Sequence, residues 1–353
     1  MDATSPATSP ATSPATSPAP AIGPVVRLGS QTDVLVGTCS WADNTLVKDS
    51  TWYPKRSMKA AERLAYYASQ FPLVEVDSTY YFPPTPELAE SWSERSPAGF
   101  TFDVKAWSLL TGHPTFPHSL WEDLQAEVKP EFRDKRNLYA KHLTAAALSE
   151  CWLRFRHALE PLHAAGKLGA VLLQWPEWFG PKGSHCDVIL DAVEMMRPYR
   201  CLIEFRNARW LEGEQCNDTL GWLEDHGLTF VCVDEPQGFR SSMPPVVAST
   251  AGLGVIRFHG HNDENWMKRG ITAAERFQYL YNTDELVDWS KRLRELEGSV
   301  DELHVLYNNC WQDYAVSNAA DMMSLLRGSG LSAPDAGVDE RTLVHDHLPT
   351  ESA

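Results

Sequence analysis

The 353-residue chain is 43% hydrophobic and has 13 tryptophans, enough for a sizeable core, yet no window is long and apolar enough to span a bilayer. A formal net charge of −16 counts against broad coating of nucleic acid, which draws on surplus Lys and Arg. Seven cysteines without a C-x-x-C pair argue against a disulfide framework or a zinc ribbon, and the N-terminus has no secretory pattern, so a cytoplasmic protein is expected.

Residues 3–18 are four copies of Ala-Thr-Ser-Pro, with nothing to bury and a proline every fourth position. This composition predicts a disordered tail over 1–32. Eight apolar or β-rich runs follow, at 34–41, 73–81, 100–107, 168–176, 201–207, 228–236, 253–260 and 303–310. Helical periodicity separates most of them. Ala60, Leu64, Tyr67 and Phe71 share a face after the first run. Leu148, Trp152, Phe155, Leu159 and Leu162 do so before the fourth, and Leu286, Trp289, Leu293 and Leu296 before the eighth. Ala319, Met322, Met323 and Leu326 follow the eighth. The weakest helical signal lies in the proline-rich stretch between the sixth and seventh runs. Residues 331–353 are polar and acidic, a second expected tail. Eight strands alternating with helices predict an α/β chain folded as a single-domain (β/α)₈ TIM barrel over 33–330. No G-x-G-x-x-G follows a strand and no P-loop is present.

Strands of a parallel barrel are covered on both sides and read as nearly continuous apolar runs. Here each run breaks toward its C-terminal end, at Ser40 with Trp41, Glu75 with Asp77 and Ser78, Asp103 with Lys105, and Gln174. The same happens at Glu204 with Arg206, Asp234 with Glu235, Arg257 with His259, and Asn308 with Asn309. Active sites of this architecture lie at that rim. The alternative reading is an ion-pair network closing the barrel top. Glu204, Glu75, His259, Lys105, Asp77 and Asp234 are the candidate acid–base groups. Arg206, Arg257, Gln174, Asn308, Asn309, Ser40, Trp41 and Ser78 are the candidate substrate-binding groups. Guanidinium forks suit carboxylate or phosphate, so the expected ligand is a small anionic molecule. The loops after the last two strands, with a helix starting near Val316, are candidates for a phosphate site.

No cofactor is firmly implied. His259 with His261, or His113 with His118, and the rim carboxylates are the residues on which a divalent metal would draw, but no H-E-x-x-H is present. Cys39 and Cys310 end neighbouring strands of a closed barrel and are expected as packed free thiols. Segments 107–141 and 261–282 are long enough to cover the rim. The first carries Lys129, Arg133, Lys135 and Arg136, read as a solvated face; the second carries Trp266, Lys268 and Arg269.

The succession "VGTCSW", "WYP", "ERLAYYASQFPLVEVDSTYY", "SWSERSPAGFTFDVKAW", "LLQWP", "IEFRNARW", "RFHG" and "NNCWQDYA" resembles the YecE-like family, a domain of unknown function (DUF72), over Val34 to Arg327. The resemblance implies a (β/α)₈ barrel and no established reaction. The family pattern matches Glu75, Ser78, Lys105, Gln174, Glu204, Arg206, His259, Gly260 and Asn308. Many members carry Asn where this chain has Asp77, which ranks Glu75 and Glu204 above Asp77 as the base. Three functions follow as expectations. The first is an enzyme of hydrolase, lyase or isomerase type using acid–base chemistry on a small anionic or phosphorylated substrate. The others are a nucleic-acid phosphodiesterase by analogy with endonuclease IV type barrels, not favoured by the charge, and a non-catalytic ligand-binding protein.

Overall fold

Among the described residues nine strands form one sheet, and eight of them close it on itself. The computed structural model describes residues 21–328. The Ala-Thr-Ser-Pro repeats and residues 331–353 lie outside the described residues. The strands are β1 (Val26–Leu28), β2 (Thr32–Thr38), β3 (Leu73–Val76), β4 (Thr101–Lys105) and β5 (Leu168–Gln174), then β6 (Cys201–Glu204), β7 (Thr229–Asp234), β8 (Leu253–Phe258) and β9 (Glu302–Tyr307). Strands β2 to β9 are parallel and adjacent in chain order. β9 returns to pair with β2 from Asp33↔Glu302 to Thr38↔Tyr307, so the fold is the expected (β/α)₈ barrel.

The main outer helices are α1 (Ala60–Gln70), α2 (Pro86–Arg95), α3 (Ala145–Ala158), α4 (Gly183–Met196), α5 (Glu214–Asp225), α6 (Thr283–Glu295) and α7 (Tyr314–Leu326). Their starts are written locally. Thr85 caps α2 with Pro86 in its first turn, Thr144 caps α3, and Asn282 with Glu285 forms a capping box on α6. The apolar stripes expected on α1, α3, α6 and α7 face the strands, as Leu64, Tyr67, Phe155, Leu293 and Met322 are buried. The link from β7 to β8 has no long helix, consistent with its proline content.

One strand is unexpected. β1 lies within residues 1–32, where composition implies a tail, and pairs antiparallel with β2 from Val26↔Val34 to Leu28↔Thr32. Strand β2 meets β3 only at Gly37↔Leu73 and Thr38↔Val74, so β1 occupies the β2 edge that β3 leaves free. Three residues, Val26–Leu28, are too short a run to show alternation.

The barrel interior is unusually polar. Asp103 is not at the rim, as its strand position suggests, but deeper, where its Oδ2 lies 2.7 Å from Nδ1 of His304. Both side chains are fully buried, and His304 Nε2 continues to Glu302 at 3.1 Å. Room for this pair comes from Gly169, since a Cβ there would lie 2.5 Å from Asp103 Oδ1 and 3.2 Å from the His304 ring. Burial alone would push the imidazole down, but Asp103 and Glu302 outweigh it and lift His304 from 6.5 to about 9. A raised folded value means the contribution to stability is complete below pH 6.5 and fades as pH climbs through about 9. The unfolding midpoint of the wild-type protein is therefore expected to fall between pH 7 and 9.5. The Asp103→Asn, His304→Gln double variant should show a flatter profile; the same slope in both proteins would refute the assignment.

Candidate functional site

Five C-terminal strand ends converge on a chain of buried charges. Arg257 of β8, fully buried, donates from Nε to Glu75 Oε2 (2.8 Å) and from Nη2 to Glu75 Oε1 (2.6 Å), a bidentate pair. Its Nη1 donates to Glu204 Oε2 at 2.5 Å. Glu204 Oε1 forms an ion pair with Arg206 Nη2 and accepts from Gln174 Nε2, each at 2.6 Å. Arg206 Nη1 in turn pairs with Glu235, whose other oxygen accepts the backbone N–H of Met243 at 2.7 Å. Carboxylates and guanidiniums thus alternate from Glu75 to Glu235. Glu204 and Arg206 share a face, as residues two apart on an extended chain should.

His259 closes this network. Its Nε2 lies 2.8 Å from Arg206 Nη2 and 3.5 Å from Arg257 Nη1, and the Asn308 carboxamide lies 2.9 Å from Nδ1. Guanidiniums only donate, so Nε2 accepts and the ring proton sits on Nδ1, an assignment that requires the Asn308 carboxamide to be flipped so that its oxygen, rather than Nδ2, faces that proton. Burial and Arg206 hold His259 well below its usual value, so it is a neutral prop for Arg206. The glycine after it is required. Gly260 has φ +82°, and a Cβ there would stand 2.5 Å from that of Tyr279.

Above this network opens a cleft of about 340 Å³. Lys105, Asp77, Gln174, Arg206 and Asn308 form its polar floor. Tyr80, Tyr81, Trp266, Met267 and Phe277 are among its walls. Lys105 Nζ is 2.7 Å from Asp77 Oδ1 and 4.6 Å from the centre of the Tyr80 ring. A 3-10 turn, Asp77–Tyr80, brings the pair together, because the Thr79 hydroxyl bridges the carbonyls of Val76 (2.8 Å) and Lys105 (2.6 Å). Burial disfavours the charged ammonium, but Asp77 more than offsets it and raises Lys105 above its usual value. For Glu204 burial is outweighed by Arg206 and Arg257, which hold it well below the carboxylate range. For Glu235 burial prevails over Arg206 and lifts it to about 7. Burial, with Asp77 adding to it, also raises Glu75.

The sequence-derived candidates therefore separate into groups. Asp77, Lys105, Arg206, Gln174 and Asn308 meet in the cleft. Glu75, Glu204, Arg257 and His259 lie sealed beneath it, so the ranking of Glu75 and Glu204 above Asp77 does not match their access. Asp234 belongs to a neighbouring cluster, accepting from Tyr281 Oη at 2.7 Å with His261 Nε2 at 3.0 Å. Asn309 ties the covering loop to α7 through Tyr279 and Asn318. Trp41 packs edge-on against Trp92 and Phe102, Ser40 turns onto the Ala42 N–H, and Ser78 is exposed; none of the three lines the cleft. The first turn of α7, proposed for phosphate, contributes no lining residue either.

Segment 261–282 covers the cleft as expected, through Trp266, Met267, Ala273, Arg276 and Phe277. Segment 107–141 does not. Leu110, Gly112, Tyr139 and Lys141 instead line a separate, mostly apolar cavity of about 670 Å³ with Trp152, Trp175 and Phe179. Arg133, Lys135 and Arg136 are exposed and Lys129 is half-buried. His113 is pushed down to about 3 by burial, with Lys105 and Arg206 adding to it. All seven cysteines are free thiols. Among the described residues no group of three or more His, Cys, Asp or Glu side chains is placed to hold a metal ion, and no helix is long and apolar enough to cross a membrane. Glu235, noted in sequence only as part of a polar strand end, and the cleft-wall rings of Tyr80, Tyr81 and Phe277 are the residues that sequence reasoning missed.

Comparison with known proteins gives a consistent picture. Residues 35–339 match the family model described as "Protein of unknown function DUF72". The UPF0759 protein YunF of Bacillus subtilis (strain 168) is 31% identical over 297 residues, covering 83% of this chain and 94% of that protein. A DUF72 family protein of Thermotoga maritima MSB8 superposes with a TM-score of 0.64 at 27% identity, over 83% of this chain and 98% of that one. One from Enterococcus faecalis V583 has a TM-score of 0.66 at 24% identity, over 85% and 97%, and supports the fold alone. With the family model spanning most of the barrel and relatives matched over nearly their full length, the chain belongs to the DUF72 family.

Proposed function

We propose that this barrel is an enzyme performing acid–base chemistry on a small anionic substrate held in the rim cleft. The observation that carries this reading is the Lys105–Asp77 pair, 2.7 Å apart on the floor of a cleft that also presents Arg206, Gln174 and Asn308. An ammonium beside a carboxylate is a proton donor next to a proton acceptor, both within reach of one bound molecule. Arg206, propped by His259 and only slightly exposed, supplies the fixed fork for the anionic group. Gln174 and Asn308 offer amide groups to orient the remainder, while Tyr80, Tyr81, Trp266 and Phe277 give it an apolar or ring-stacking wall. A volume of about 340 Å³ suits a metabolite-sized molecule.

In this reading Glu75, Glu204 and Arg257 do not touch substrate. They hold the floor rigid and fix its charge. The test is consumption of a component of a cell extract, followed by mass spectrometry, with wild-type protein and Lys105→Met in parallel. Loss of a phosphorylated or carboxylated metabolite with wild type alone is expected. Identical extracts after both incubations would sink the proposal, and stabilisation by short oligonucleotides with no metabolite effect would favour the nucleic-acid reading instead.

A further inference from the structure

The charges beneath the cleft do not balance. Three carboxylates, Glu75, Glu204 and Glu235, face two guanidiniums, Arg257 and Arg206, and His259 is neutral; in the cleft itself Asp77 is paired with Lys105, and Arg276 of the covering loop donates to backbone carbonyls. Asp234 is met separately by His261, which Asp234 and Glu285 raise against the effect of burial. A bound anion would add a further negative charge next to these buried carboxylates, where excess charge is costly. From this geometry we infer that anion binding in the cleft draws a proton from solvent onto Glu235.

The placement of Glu235 singles it out among the three. Glu75 is gripped by two parallel N–H donors of Arg257, and Glu204 accepts from Arg257 and an amide and is ion-paired with Arg206. Glu235 sits at the end of the alternating chain, with Arg206 as its only guanidinium and one backbone N–H from Met243. Glu204 and Asp234 face it as further negative charges, and burial with these neighbours already brings it to about 7. Arg206 is shared between Glu235 and the cleft. Neutralising Glu235 weakens its hold on Nη1 and leaves the guanidinium with a positive charge to offer the ligand. No covalent bond changes; one proton moves from water or buffer to a carboxylate oxygen.

This inference rests on the anionic-substrate reading and can fail separately from it. The probe is inorganic sulfate, which does not titrate near neutrality, added to the full chain in calorimetric titrations at pH 8 in buffers of different ionisation enthalpy. Uptake of about half a proton to one proton per sulfate is expected, with affinity falling up to about tenfold per pH unit above that point. Glu235→Gln, which keeps the shape and removes the titration, should bind sulfate without proton uptake and more tightly than wild type at pH 8.5. Sulfate binding with no proton uptake by wild type, or uptake that persists in Glu235→Gln, overturns the inference while the anion site stands. No sulfate binding to either protein from pH 6 to 8.5 overturns the anion site and the inference with it.

Discussion

Arg257→Met is expected to lower the unfolding free energy by about 3–5 kcal/mol, read as a shift in the denaturant midpoint. The guanidinium holds Glu75 with two hydrogen bonds and Glu204 with a third, and all three side chains are fully buried. A methionine of similar reach fills the space and leaves both carboxylates without that partner. Glu204 keeps Arg206 and Gln174, but Glu75 loses its guanidinium outright. Adding Glu75→Gln should therefore recover part of the loss, because it removes the unpaired charge rather than the pair. A change below about 1 kcal/mol for Arg257→Met alone would mean that water reaches this layer of the barrel.

The second large effect concerns turnover once a substrate is found. Lys105→Met and Asp77→Asn are each expected to reduce kcat by about 10²–10⁴-fold, the usual range for loss of a positioned acid or base. The two residues act as one proton-handling unit, so the double variant should be little worse than the more damaged single variant. Asp77→Asn is the cleaner probe, since the side chain is partly exposed and the amide still accepts from Lys105. The separation between KM and kcat is the discriminating readout. A rise in KM with kcat intact would assign the pair to uniform binding and Arg206 to the same role.

Much of this architecture could be read from residue order. The eight runs identified in sequence become β2 to β9, because an all-parallel sheet leaves near-continuous apolar strands between amphipathic helices. Depth along the barrel axis was not legible. Asp103 and Lys105 are two apart and share a face, yet Lys105 opens on the cleft whereas Asp103 lies below with His304. Alternation gives the side of a strand, and only the stagger between neighbours gives the layer. His304 carried a signal in hindsight, an imidazole within the apolar run of β9, but its partner lies 201 residues away. Glu235 was hidden differently. It follows Asp234 directly, and with β7 ending at Asp234 no periodicity tells which of the two acids turns toward Arg206. The polar rim itself was evident, while its division into an open cleft and a sealed charge network depended on which side chains are covered by others.

The closure of the barrel also has a consequence in time. Strand β2 leaves the ribosome before the other strands of the closed barrel, yet its longest pairing, Asp33 to Thr38, is with β9, the last of them. Thr32 likewise donates to the carbonyl of Val300, 268 residues later. During synthesis one side of β2 stays an unpaired edge until nearly the whole barrel has emerged, and such edges invite pairing with other chains. On the opposite side of β2, the short β1 and the two-residue pairing with β3 are available early. A nascent chain of this protein therefore waits on its final strand to finish its first, and that wait is its period of greatest exposure to misassembly.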